Sequence, residues 1–143
     1  MRDPPGGRPV YDSSMTTPIV TGVDFVAMPT KDFDAAVAFY GETLGLQRSN
    51  YRPDRHFAEF ETGTVTLSVI VPEAMGLEYA PNRNAIALQV DDVEAARAEL
   101  ESRGVQFSGD TFDTGVCHMG FFADPDGNAL MLHHRYAPRA PQA

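Results

Sequence analysis

Apolar positions along the chain follow two periods. Phe33, Val37, Tyr40 and Leu44 recur at the spacing of one helix face, with Asp32 before them as an N-cap and Gly45 after them as a stop. Val93, Ala96 and Leu100 repeat that stripe, with Asp91 or Asp92 as the cap and Gly104 as the stop. Elsewhere the pattern is strand-like. The runs "VDFVAMP" and "AIALQV" precede the two helices, and "FAEFETGTVTLSVIV" reads as two strands joined at Thr62-Gly63. "VCHMGFFADPDGNALMLHHRY" reads as two more, joined by "DPDG", where Pro125 presets φ and Gly127 accepts a positive φ. Weaker strand patterns cover 46–51 and 105–109.

The two helical segments are copies. "DFDAAVAFY" from Asp32 and "DVEAARAEL" from Asp92 align acid on acid and alanine on alanine at an offset of sixty residues. Each half is then β-α-β-β-β, one supersecondary unit used twice. The predicted fold is α+β: two tandem βαβββ modules forming a curved sheet around a central cleft. Module one spans 18–72, a linker 73–83 and module two 84–136. Residues 1–17 and 137–143, rich in Pro, Gly and Ser or in Pro and Ala, are expected to be tails. One helix covers only one face of its sheet, so the other face is left for a partner or ligand.

Composition narrows the setting. The chain has 143 residues, of which 43% are hydrophobic, ordinary for a globular protein. It has no apolar run long enough for a membrane span and no apolar signal core at its start. Cys117 is the single cysteine, which excludes an intramolecular disulfide and favours a cytoplasmic protein. A net charge of −9 repels phosphate backbones, so nucleic acid is not an expected partner; the charge reads first as an aid to solubility, with help in attracting a cationic small molecule as the alternative.

The segments "GVDFVAMPTKDFDAAVAFYGETLGL", "NAIALQVDDVEAARAELESRGV" and "FFADPDGNALML" resemble the vicinal oxygen chelate superfamily: glyoxalase I, extradiol dioxygenases, fosfomycin-resistance enzymes and bleomycin-binding proteins. The resemblance covers residues 19–136. Metal-using members hold a divalent ion with His or Gln, Glu, His and Glu from four strands. Carried over, those positions fall on Phe25, Ala85, Met131 and Ser68 or a residue beside it. Phe and Ala offer no lone pair, and a thioether suits a soft ion rather than Mg²⁺, Mn²⁺ or Zn²⁺. No metal and no other cofactor is therefore expected. The resemblance also implies a homodimer.

In that register, strand alternation turns Phe25, Ala27, Ser68, Ile70, Ala85, Ala87, Gln89, Met119 and Met131 towards the cleft. This lining suits a hydrophobic or aromatic small molecule, with Phe25 either stacking on it or filling the space of a lost metal. His133 and His118 are the candidate acid–base residues, and their pairing across neighbouring strands is open. Cys117 reads as buried and structural. Glu59 and Glu61 read as a solvated strand face. Glu99, Glu101, Arg97 and Arg103 read as the outer side of the second helix, and Tyr51, Arg52, Asp54, Arg55 and His56 as a polar loop able to cover the cleft. No phosphate loop, CxxC, HExxH or GxSxG occurs. The expected function is metal-independent small-molecule binding. The alternatives are a cofactor-independent isomerase, lyase or cyclase using His133 or His118, and a divergent metalloenzyme.

Overall fold

A computed structural model of the chain describes residues 17–139. The expected tails therefore lie largely outside the described residues, at 1–16 and 140–143.

Two β-α-β-β-β units follow one another. Module one holds β1 (Phe25–Pro29), α1 (Phe33–Ala38), β2 (Gln47–Arg52), β3 (Phe57–Glu61) and β4 (Thr66–Ile70). Module two holds β5 (Ile86–Gln89), α2 (Val93–Ser102), β6 (Ser108–Asp113), β7 (Cys117–Ala123) and β8 (Ala129–Arg135). Each forms a four-stranded sheet, in the orders β1-β4-β3-β2 and β5-β8-β7-β6. The first strand of each module thus lies on an edge, parallel to the last. The weaker strands are present as β2 and β6, the latter starting three residues later than its expected 105.

Both helices start as their caps require. Asp32 accepts the amide of Ala35 at 3.1 Å, and Asp92 that of Ala95 at 3.0 Å. They then diverge. α2 runs regularly for ten residues. α1 gives way after Ala38 to a π turn over Phe39–Thr43, closed by the Leu44 amide on the Phe39 carbonyl at 2.9 Å. Gly41 permits this. A Cβ there would come within 3.2 Å of the Phe60 ring, so only the bare backbone lets the turn lie against β3 without displacing Phe60.

Each helix covers one sheet face. In module one that face carries Met28, Ala58, Phe60, Leu67 and Val69, all essentially inaccessible, under Phe33 and Tyr40. In module two it carries Leu130, Leu132 and Phe122 under Val93 and Leu100. The buried residues of both modules belong to one cluster, so the units share a core at their junction. Burying a Leu- or Phe-sized side chain is worth about 1.5–3 kcal/mol, and this cluster is the principal source of stability. No described helix is long and apolar enough to cross a membrane.

Candidate ligand-binding faces and the seam between the modules

The sheet faces turned away from the helices carry the expected lining residues in contiguous rows. In module one Phe25 stands opposite Thr66, Ala27 opposite Ser68 and Pro29 opposite Ile70. Phe25 is 57% exposed, a phenyl ring presented to solvent from an edge strand. In module two one row runs Ala87, Met131, Phe121, and the next runs Gln89, His133, Met119, Phe112. Ala85 precedes β5 directly and belongs to no ladder.

This placement keeps eight of the nine expected lining residues off the helix-covered face, four in the strands of module two and four in module one, while Ala85 lies just before β5. It divides the two histidines. His133 lies opposite Met119 on the helix-free face, whereas His118 lies opposite His134 and Asp113 on the other. The pairing of His118 with His133 is corrected on that ground: alternate parity on paired strands sends them to opposite sides of one sheet. His118 Nε2 instead sits 3.4 Å from Asp113 Oδ2, with its ring against Tyr136 at 4.8 Å between centroids. The Tyr136 hydroxyl donates to Asp113 Oδ1 at 2.8 Å. Bonds from the Gly115 amide and then Tyr136 hold the Asp113 carboxyl below its usual range. Cys117 is buried, with Arg135 Nη1 at 3.8 Å from its sulfur.

Several charged side chains are engaged beyond what the sequence indicates. Glu59 and Glu61 lie half-exposed on one strand face, alternating with Phe60 as expected, and their carboxylates are hydrogen-bonded there. They share the helix-free face with Phe25 and Ala27. Ser68 Oγ donates to Glu59 Oε2 at 3.1 Å and Asn50 Nδ2 to its Oε1 at 3.3 Å. Ser49 and Thr66 donate to Glu61, the latter at 2.7 Å. Those two bonds, Ser49's first, lower the Glu61 carboxyl pKa. The available signal was parity: Glu59 and Glu61 alternate with buried Phe60, so they must share the face of Ser68 and Thr66 across the β3–β4 ladder.

Tyr51 and His56 do not cover this face either. Their rings pack on Phe33 at 6.2 and 5.6 Å, beside the start of α1. Nor are the α2 arginines merely solvated. Arg97 donates to the Gly109 carbonyl at 2.8 Å and lies over the Phe107 ring. Arg103 reaches module one, donating to the Thr43 carbonyl at 2.8 Å while paired with Glu99 at 2.9 Å.

The metal positions carried over from the resemblance are occupied by Phe25, Ala85, Ser68 and Met131, and this donor set does not fit a hard divalent ion. Among the described residues no three His, Cys, Asp or Glu side chains converge as ligands.

Where the modules meet, the β7–β8 turn docks on the end of β1 through a buried polar knot. Asp124 accepts from the Tyr40 hydroxyl at 2.6 Å, from Asn128 Nδ2 at 2.7 Å and from the amides of Asp126 and Asn128, each at 2.9 Å. Asn128 Nδ2 also donates to the Pro29 carbonyl at 2.8 Å, and its side-chain oxygen accepts the Asn82 amide at 2.7 Å. Burial, and then the neighbouring Asp124 charge, raises the Tyr40 phenol well above its ordinary value. Across the same seam, on the helix side, lies a cavity of about 720 Å³ bordered by β1, β5, α2 and the β3–β4 turn.

Two βαβββ units with edge first strands and a helix on one side of each sheet define a glyoxalase-type architecture. The comparisons agree. Residues 22–132 match the model of the Glyoxalase/Bleomycin resistance protein/Dioxygenase superfamily, and the chain belongs to that family. An uncharacterized protein of Mycolicibacterium smegmatis is 29% identical over 111 residues, covering 78% of this chain and 91% of that one. The crystal structure of TnmS3, an antibiotic binding protein from Streptomyces sp. CB03234, superposes with a TM-score of 0.70 at 25% identity, covering 83% of this chain and 99% of that one. A glyoxalase family protein from Bacillus anthracis gives a TM-score of 0.72 at 21% identity, covering 84% and 99%, a likeness of fold.

Proposed function

We propose that the chain is a metal-independent small-molecule binding protein of the glyoxalase/bleomycin-resistance type, holding a hydrophobic or aromatic metabolite or drug on the helix-free sheet faces. The observation that carries this reading is the apolar surface of the helix-free faces, where Phe25 is 57% exposed and Ala27, Ala87, Met119 and Met131 lie in the strand rows, with Phe25 and Met131 standing at two of the positions where the resemblance places metal ligands. Aromatic stacking on Phe25 adds about 0.5–1.5 kcal/mol beyond burial. The antibiotic-binding role of the TnmS3 neighbour is consistent with it. The single buried cysteine is in keeping with a cytoplasmic setting.

A thermal-shift screen of hydrophobic metabolites and antibiotics, with and without divalent metal, tests the reading. A ligand at about 100 times its Kd adds roughly 2.7 kcal/mol, a rise on the order of 10 °C for a chain of this size. The shift should appear without metal and shrink in Phe25→Ala. If only metal ions raise the melting temperature, the proposal fails.

His133, on the same face between Gln89 and Met119, favours one second reading: a cofactor-independent isomerase, lyase or cyclase with His133 as acid–base residue. Turnover of a bound compound that is lost in His133→Ala while affinity persists would establish it. A homodimer accords with Ile19, Val20, Val23, Phe25, Phe112 and Phe121, all exposed apolar side chains. A monomer mass at all micromolar concentrations in sedimentation equilibrium would remove the dimer.

A further inference from the structure

The seam between the modules is quasi-symmetric, and its two halves are finished differently. At one side the β7–β8 turn fills the junction with Asp124, Asn128 and the Tyr40 ring. The offset of sixty puts Leu100 at the place of Tyr40, and the β3–β4 turn, closing the last hairpin of module one, is the topological counterpart of the β7–β8 turn. Leu100 has no hydroxyl to reach across. The β3–β4 turn satisfies itself instead: the Thr62 hydroxyl accepts the Val65 amide at 3.0 Å and donates to the Val65 carbonyl at 2.6 Å. The second junction is therefore not filled by the chain, and the cavity of about 720 Å³ lies there.

Its walls are mostly apolar, with Thr62, Thr64 and Gln89 as the uncharged polar side chains among them. Val26, Leu44 and Leu46 come from module one, and Ile86, Leu88 and Ala96 from module two, each only partly buried. Met28, the counterpart of Leu88 at the offset of sixty, is 1% exposed. Water against such a wall is unfavourable by about 25 cal/mol per Å² of apolar surface, and a ligand that displaces it recovers that cost. The volume lies within the roughly 300–1,000 Å³ of small-molecule sites. The rim is acidic. Asp91, Glu99 and Arg103 border the opening; Arg103 is taken up by Glu99 and by the Thr43 carbonyl, and Asp91 makes no ion pair among the described residues. The balance is one negative charge beside an apolar hollow, in a chain of net charge −9.

We propose that this helix-side cavity is a second ligand site, separate from the helix-free faces, and that it takes a compact hydrophobic cation: an aromatic or aliphatic body against Val26, Leu88 and Ala96, with its positive group at Asp91. The site is built by both modules and shares with the helix-free faces only Ala87 and Gln89, on the edge strand β5.

Fluorescence titration with auramine O, a planar aromatic cation, tests this against 1-anilinonaphthalene-8-sulfonate, a similar-sized anion. The expected result is saturable binding of one auramine O per chain, with the anion at least tenfold weaker. Ala96→Trp, which fills the hollow, should abolish binding. Thr64→Trp at the rim, a substitution outside the core, should weaken it and serves if Ala96→Trp does not fold. Asp91→Asn should weaken the cation several-fold and leave the anion unchanged. Phe25→Ala should leave auramine O binding intact, which separates this site from the helix-free faces. Binding that survives both tryptophan substitutions in folded protein, or that is lost in Phe25→Ala, overturns the proposal. Equal affinity for the two dyes overturns its cationic ligand class.

Discussion

The two modules descend from one pattern and have come apart in three places. Module one interrupts its helix with a π turn, which presents Tyr40 to the seam and the Thr43 carbonyl to Arg103; module two keeps a regular helix. Module one lines its helix-free face with hydrogen-bonded carboxylates, Glu59 and Glu61, beside Phe25; module two lines the equivalent face with Met119, Phe121, Met131 and His133. Module two's last hairpin turn carries the knot that locks the modules together, and module one's carries only its own internal bonds. The lesson is that repetition fixed the scaffold, and the exceptions to the repeat are where the modules were adapted to each other and to ligands.

The largest expected effect tests the unequal turns. Asp124→Ala strips the Tyr40 hydroxyl and the Asn128 amide of a buried acceptor, and each such loss costs about 1–3 kcal/mol. Urea denaturation should show a loss of about 3 kcal/mol or more. Thr62→Ala, in the opposite turn, removes bonds near the surface and should cost about 1 kcal/mol or less. Equal losses would mean that the two turns do the same structural work, and the comparison would collapse.

A smaller effect reads the same knot through pH. The folded Tyr40 phenol titrates above its unfolded value, because burial and Asp124 disfavour the phenolate. A raised pKa contributes stability that is complete below the unfolded value near 10 and drains as pH rises above it. The wild type should therefore lose about 1.4 kcal/mol more than Tyr40→Phe between pH 9 and pH 11. Parallel stability curves for the two proteins over that range would place Tyr40 outside the knot.

Much of this architecture is legible in the sequence. The caps Asp32 and Asp92, the stops at Gly45 and Gly104, the hairpin turns and the sixty-residue repeat are local signals, set by backbone hydrogen bonding and periodicity within a few residues. The helix-free placement of Phe25, Ala27, Ser68, Ala87, Gln89, Met119, Met131 and His133 followed from strand parity together with the register that the resemblance implies. The same rule, applied across β3 and β4, would have moved Glu59 and Glu61 to that face. The π turn was not readable, because the Phe33–Leu44 stripe fits an unbroken helix; it is Phe60 pressing on Gly41 that marks it.

The sequence by itself determined the two βαβββ units and which residues share a sheet face. These depend on side-chain type and on periods of two and 3.6 residues. Only the tertiary structure decided how the modules join: which turn reaches across, that Tyr40 meets Asp124 eighty-four positions away, and that the matching junction stays open as a cavity. Contacts between distant segments depend on how two packed units settle against each other, and no local pattern encodes that arrangement.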